Sequence, residues 1–457
     1  MTVEDKVGSI VETKIKDLAY DGKSVGELDG KIIFLNGGLP GETVQAEIVK
    51  RKPRYSVGRV KNITEKSADR IKAPCRHFDM CGGCTWQDLV YDRQLFYKRK
   101  QVVDSLKHIG KIENAEVADI IGCDEQFYYR NKMEYSFNVT ENGNFTLGLH
   151  RRGRFDEIFD IEDCLLQSPV SNQIIIRLRN YIKDNKIEVY DVTEHTGFLR
   201  FLMIRQNKNS DQIMLNIVTT DGTIPDETNF INALTSNFPQ IKTVVQNTNN
   251  SKSNIAKGET EQVLFGDGYI EENILGYNFR IYANSFFQTN PRQTEVLYKQ
   301  MLKALQPKKD DKLLDLYCGT GTIGICASGH VNRVIGIDSE PSAIQAAEEN
   351  ARNNNVDNID FITGSAKEIM VSAADDLNDL SSAVIDPPRA GMHPKALKRL
   401  IELNYKKIVY ISCNPATFSR DAAILTKAGY EMGTVTPVDM FPHTMHIEVV
   451  TGFIKKD

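Results

Sequence analysis

Between Lys312 and Asp338 the chain reads strand, glycine loop, helix, strand, and this unit restricts the fold more than any other stretch. The apolar run Lys312-Leu-Leu-Asp-Leu-Tyr317 leads into Gly319-Thr-Gly-Thr-Ile-Gly324, a G-x-G-x-x-G loop. A helix follows, and the next strand, Arg333–Ile337, then has to lie parallel to the first. The pattern continues to the end of the chain. Strands are predicted at Ile359–Ile362, Ser382–Ile385, Lys407–Ser412, Thr434–Pro437 and Ile447–Phe453, with helices between them such as Ser342–Asn354 and Thr417–Ala428. Such alternation builds a mostly parallel sheet with helices on both faces. Open sheets of this kind bind ligands outside the carboxyl ends of their strands.

The chemistry-bearing residues fall at those ends. Asp338 closes the second strand, where a carboxylate can bind ribose hydroxyls. The glycine loop alone fits either a nicotinamide dinucleotide or S-adenosylmethionine (SAM). Asp315, inside the first strand's end, and Asp386-Pro-Pro-Arg-Ala-Gly391, at the fourth, are similar to methyltransferase sheets and favour SAM. Taken singly, Asp338 or Asp386 could be a helix cap or turn acid. The next strand ends in Ile411-Ser-Cys-Asn-Pro415. Cys413 there reads as a nucleophile, with Glu448 of Phe441-Pro-His-Thr-Met-His-Ile-Glu448 as its base. The predicted helix start after Cys413 should lower its thiol pKa below the free value of about 8.5. His443 and His446 flank the base; each could tune it or make a structural hydrogen bond. Cys318 and Cys326 read as small buried hydrophobes.

Upstream, two further regions are predicted. Residues 1–63 read as a small OB-like β-barrel of alternating segments split by Gly, Asp and Pro turns. Residues 64–285 read as a mixed α+β domain, and residues 286–457 carry the parallel sheet. The central region has a charged helix near Asp88–Ile109, a helix near Pro169–Lys183 and antiparallel strands from Lys132 to Thr219, with loop tips at Asn207–Ser210 and Asn247–Ser253. Cys123 has no assigned role.

Net charge is −5, so no global field attracts nucleic acid. The charge is uneven, however. Lys50, Arg51, Lys52, Arg54, Arg59 and Lys61 cluster in the barrel without an acid among them, and Arg151, Arg152 and Arg154 form a second group. Either could neutralise phosphates or simply form a solvated face. There is no secretory pattern at Met1-Thr-Val-Glu-Asp-Lys6 and no long apolar run, so a cytoplasmic protein without a membrane partner is expected. Eight cysteines in 457 residues do not make a disulfide scaffold.

The ordered motifs resemble the RNA uracil-5-methyltransferases, the class I SAM-dependent group of the TrmA/RumA type. They are Phe287-Gln-Thr-Asn290, Asp315-Leu-Tyr-Cys-Gly-Thr-Gly321, Asp386-Pro-Pro-Arg-Ala-Gly391, Ser412-Cys-Asn-Pro-Ala-Thr417, and Asp439-Met-Phe-Pro-His-Thr444 with His446 and Glu448. The resemblance implies a Rossmann-like catalytic domain, Cys413 as nucleophile and Glu448 as proton acceptor. It implies Gln288, Tyr317, Asp338 and Asp386 as SAM-site residues. The N-terminal region resembles the TRAM domain, through Asp21–Gly26 and Leu39–Val44.

Ribosomal members of the family also carry a four-cysteine iron–sulfur site. Cys75, Cys81, Cys84 and Cys164 match it, the first three with C-x5-C-x2-C spacing. Four thiolates suit [4Fe–4S] or zinc; the resemblance favours iron–sulfur. It points to 23S rRNA as partner, with tRNA as the alternative and no obligate protein partner. Arg130, Phe145 and Phe155 are candidate contacts for the target base. Two competing readings are a nicotinamide-dependent oxidoreductase and a non-catalytic RNA-binding or ribosome-assembly protein.

Overall fold

The computed structural model describes residues 6–140, 143–154, 156–372 and 374–456. Phe155 lies outside the described residues.

Five strands close the N-terminal barrel: β1 (Ile10–Leu18), β2 (Ser24–Leu28), β3 (Lys31–Asn36), β4 (Thr43–Arg51) and β5 (Tyr55–Glu65). Alternation makes this possible. In β1 every second side chain points inward, and Val11, Ile15, Ile33, Leu35, Val44, Ala46 and Ile48 fill the interior. The basic tip Lys50–Arg54 joins β4 to β5 and is exposed.

Helix α1 (Tyr91–Ser105) follows, continued by a π-helical turn at Leu106–Gly110. The central sheet holds β6 (Lys132–Val139), β7 (Phe145–His150), β8 (Ile158–Asp160), β9 (Leu199–Gln206), β10 (Ile213–Thr219), β11 (Ile241–Thr248) and β12 (Thr260–Phe265), in the order β12-β11-β10-β9-β6-β7-β8. Helices α2 (Pro169–Asp184) and α3 (Glu227–Thr235) cover it. Two features were not read from the sequence. β11 pairs parallel to β10, because α3 carries the chain back across the sheet. β11 also takes in Asn247, expected at a loop tip. Asn247 is buried with its amide satisfied, donating to Asn216 Oδ1 (2.9 Å) and accepting from Asn284 Nδ2 (2.6 Å). A polar side chain whose groups are paired can enter a core that composition would deny it.

A hairpin, β13 (Tyr269–Ile274) and β14 (Tyr277–Tyr282), leads to α4 (Pro291–Leu305). The C-terminal sheet follows, with strands β15 (Lys312–Leu316), β16 (Arg333–Asp338), β17 (Ile359–Thr363), β18 (Ser382–Ile385), β19 (Lys407–Ser412), β20 (Tyr430–Met432), β21 (Thr436–Val438) and β22 (Glu448–Lys455). Between them lie α5 (Thr322–Ser328), α6 (Pro341–Asn353), α7 (Ala366–Ser372), α8 (Ala374–Asn378), α9 (Pro394–Glu402) and α10 (Pro415–Lys427). The order is β17-β16-β15-β18-β19-β22-β20, with β21 on β22. β15 to β19 are parallel, and β22 runs antiparallel to β19. This is the expected α/β class with an OB-like barrel and a mixed α+β region before it. The strand order reverses between β16 and β18, on either side of β15, and a crevice opens at such a switch point. No helix among the described residues is long and apolar enough to cross a membrane.

Candidate active site

Sheet register assembles the crevice. In the antiparallel pair, Ser412 on β19 faces Val449 on β22. One step outward, Cys413 leaves β19 where Glu448 begins β22. Two residues 35 positions apart in sequence are therefore placed at one sheet end. Asp386 leaves the adjacent β18 at the same end.

Local capping fixes the Cys413 loop. Asn414 is the N-cap of α10, accepting from the Ala416 amide (3.0 Å), and Pro415 stands at the first helical position. The Asn414 Nδ2 donates to the Arg389 carbonyl (3.0 Å), tying the Asp386–Gly391 loop to the same helix start.

The electrostatics depart from the helix-terminus expectation. Burial pushes the Cys413 thiol up to about 12, helped by Glu448 and Asp386, while Arg389 pulls the other way. Desolvation and two carboxylates outweigh one helix end. Burial also holds Glu448 well above the usual carboxylate range, with Asp386 adding to the effect, and lifts Asp386 to about 7. His443 and His446 are both depressed to about 4 by burial and stay neutral.

Gln288, Tyr317 and Asp386 line one narrow cavity with Phe286, Tyr298 and Thr322. Asp338 is not in that lining. It sits at the next strand end, accepting from the amides of Gly319 (3.0 Å) and Glu340 (2.9 Å). It thus holds the glycine loop, and a carboxylate keeps further lone pairs for hydroxyl donors. Asp315 is fully buried and accepts from the Gly324 amide (2.8 Å), while its other oxygen has no partner. A Cβ on Gly324 would meet Asp315 Oδ2 at 3.0 Å, so glycine is what allows the contact.

Sequence reasoning missed the support beneath the Asp439–Glu448 segment. Lys98 of α1 and Asp439 form an ion pair at 2.6 Å with both side chains at 0% exposure. Tyr91 donates to the other Asp439 oxygen (2.8 Å), and Lys98 also reaches the Phe441 carbonyl (3.0 Å). Gln94 accepts from the His443 amide (2.9 Å), and Phe127 stacks on the His443 ring at 4.3 Å. In sequence Lys98 is one more charge on a charged helix, and nothing local marks it.

Comparison with known proteins decides what this crevice belongs to. A family model described as tRNA (Uracil-5-)-methyltransferase matches residues 91–456. The chain belongs to that uracil-5-methyltransferase family. A TRAM domain model matches residues 4–61. An uncharacterized RNA methyltransferase of Halalkalibacterium halodurans is 38% identical over 441 residues, covering 96% of each chain. Another, of Chlorobaculum tepidum, is 38% identical over 467 residues, covering 98% of this chain and 96% of that one. A solved structure, the Pyrococcus abyssi tRNA (uracil-54, C5)-methyltransferase in complex with S-adenosyl-L-homocysteine, is 32% identical. It superposes with a TM-score of 0.78, covering 97% of this chain and 100% of that one. The protein is therefore an RNA uracil-5-methyltransferase with a SAM-dependent fold.

The methyltransferase carries its four candidate cluster thiols in the central region. Cys75, Cys81, Cys84 and Cys164 lie within electrostatic reach of one another; burial and the neighbouring thiols push Cys84 up to about 12. Each sulfur also has an N–H donor: His77 for Cys75, Gly83 for Cys81, the Gln87 side chain for Cys84, and Leu166 and Gln167 for Cys164. Among the described residues, no group of three or more His, Cys, Asp or Glu side chains is drawn together as a bound ion requires. Arg152, a candidate phosphate ligand, is used here instead. It donates to the carbonyls of Phe78 (2.9 Å), Cys81 (3.3 Å) and Cys84 (2.7 Å). Arg151 and Arg154 pair with Glu157, and Arg154 also with Asp156. The second basic group is thus largely neutralised within its own hairpin.

Proposed function

We propose that the enzyme methylates C5 of a uridine in 23S rRNA, with Cys413 as nucleophile and Glu448 as base. The juxtaposition of Cys413 and Glu448 across the β19–β22 register carries this reading. C5 of uracil is too weakly nucleophilic to be methylated directly. Cys413 Sγ adds to C6, and the electron pair of the C5–C6 bond moves into an enolate with carbanion character at C5. SAM, when bound, would supply an electrophilic methyl group; C5 would bond to that methyl as its bond to the sulfonium sulfur breaks, leaving S-adenosylhomocysteine. Glu448 then takes the proton from C5, and the C6–Sγ bond breaks to release 5-methyluridine. Gln288, Tyr317 and Asp386 are the side chains that hold the methyl donor, with Asp338 on its ribose. Burial raises the pKa of both Cys413 and Glu448, with the Glu448 and Asp386 carboxylates adding to the Cys413 shift and Asp386 to the Glu448 shift.

Cys75, Cys81, Cys84 and Cys164 would hold a [4Fe–4S] cluster. Their donor set supports this, since N–H groups directed at sulfur favour thiolates. The cluster would supply a cross-link between the Cys75–Cys84 loop and the segment before α2. Iron and sulfide analysis of anaerobically purified protein tests this; stoichiometric zinc without iron would contradict it. The exposed basic tip Lys50–Arg54 of the barrel is the RNA-capturing surface. Eight unpaired cysteines support a reducing compartment, the cytoplasm.

The barrel together with the cysteine set supports 23S rRNA. Full-length similarity to an archaeal enzyme whose name specifies tRNA supports a second reading, a tRNA uridine. Incubating the enzyme and SAM with separate 23S rRNA and tRNA transcripts, then digesting to nucleosides, distinguishes them. 5-Methyluridine in the ribosomal transcript alone is expected; 5-methyluridine in tRNA alone would replace the substrate assignment.

A further inference from the structure

The barrel reaches the catalytic crevice. Tyr20, in the turn between β1 and β2, donates its hydroxyl hydrogen to the Cys413 carbonyl at 3.0 Å, across 393 residues of sequence. The Arg389 guanidinium lies close enough to the same hydroxyl for its positive charge to act on it. One hydroxyl therefore holds the backbone of the nucleophile and stands beside the neighbouring cation. The Tyr20 ring is half-buried against the core of the C-terminal sheet.

The turn is held firmly enough to act as a support. Ala19 accepts from the Gly22 amide and donates to the Lys23 carbonyl, at 2.9 and 2.8 Å. Gln101 of α1 donates to the Ala19 carbonyl (3.3 Å), and Lys100 pairs with Asp17 (2.5 Å). Gly22 has φ +81°, and a Cβ there would meet Met445 Sδ and Thr85 Cγ2 at 3.0 Å. The turn is thus wedged between the segment that leads to Glu448 and the segment that follows Cys84.

We propose that Tyr20 is a positioning residue of the methyl-transfer site. The barrel, beyond capturing RNA, sets the placement of Cys413 and of the Arg389 charge. The inference rests on Cys413 being the nucleophile. The charged and titratable groups around Cys413 are Glu448 from β22, Asp386 and Arg389 from the loop after β18, and Tyr20 itself. Of these, Arg389 is the cation, and Tyr20 is the side chain from the barrel that stands beside its guanidinium.

The test uses full-length Tyr20→Phe, which keeps the ring and removes the hydroxyl. Turnover and KM for the RNA transcript are measured, together with the pH midpoint for iodoacetamide alkylation of Cys413 without RNA. The expected result is a fall in kcat of about 5- to 10-fold with KM for RNA unchanged, the scale of one missing hydrogen bond. The alkylation midpoint should rise, because a released guanidinium favours the thiolate less. Arg389→Met should raise it likewise, and Tyr20→Phe/Arg389→Met should raise it no further than Arg389→Met alone. An unchanged kcat and midpoint, or a raised KM for RNA with kcat intact, would overturn the proposal and leave the nucleophile assignment standing. Turnover by Cys413→Ala in the same assay would instead remove the nucleophile assignment.

Discussion

Two regions of this enzyme bury thiols, and burial raises the pKa of both sets. Cys413 and Cys84 are each pushed up to about 12. The sulfurs nevertheless face different company. Each of Cys75, Cys81, Cys84 and Cys164 has a donor N–H from another residue and other thiols nearby. Cys413 instead stands at a strand end between two carboxylates and one guanidinium, on a capped helix start. The raised pKa alone does not say what a cysteine does. Four neighbouring sulfurs with donors aimed at them are what the proposed cluster would use; one sulfur beside the proposed base Glu448 suits an electrophilic carbon.

The largest effects should come from removing a thiol from each set. Cys413→Ala should lower methyl transfer by about 1,000-fold or more while leaving unfolding by urea unchanged. Cys164→Ala should do the reverse if the four thiols hold the proposed cluster, losing bound iron and stability on the order of several kcal/mol. Equal loss of stability in both variants would erase the contrast. Lys98→Met comes next. It leaves Asp439 buried without its cation beneath the segment that leads to Glu448 and should cost about 3–5 kcal/mol in urea unfolding. Adding Asp439→Leu should restore part of that.

A smaller effect sharpens the electrostatic side. Asp386→Asn removes one of the two carboxylates that raise Cys413, so the alkylation midpoint should fall below that of the unsubstituted enzyme. A midpoint that stays or rises would mean that burial alone sets the thiol. The smallest effect should come from the barrel tip. Lys50→Ala with Arg54→Ala should weaken RNA binding and flatten the log–log salt slope by about 0.7 for each phosphate no longer neutralised. No change in slope would remove the tip from the RNA interface.

The difference between the regions also marks what the sequence could reveal. Strands β15 to β19 were legible because strand–helix alternation is a local pattern, and their ends carried Asp338, Asp386 and Cys413. The β19–β22 pairing was implied only by motif order, yet it is what puts Glu448 beside Cys413. Strands β11 to β14 were not legible. Buried asparagines such as Asn247 look like loop residues until their partners are known. Lys98 and Tyr20 were hidden for the same reason, since their partners lie 341 and 393 residues away. Arg152 looks like a phosphate ligand but closes the cysteine loop. The thiol pKa of Cys413 shifts opposite to the sequence expectation, because helix position is local information and desolvation is not.

The central claim is that Cys413 forms a covalent bond to the target uracil. RNA carrying 5-fluorouridine tests it most directly, because fluorine cannot leave C5 as a proton and the enzyme should stall while bonded to the base. The predicted result is a denaturation-resistant protein–RNA adduct that carries the methyl group from SAM, maps by peptide mass to Cys413 and is lost in Cys413→Ala. An adduct that persists in Cys413→Ala, or that maps to another cysteine, would contradict the account.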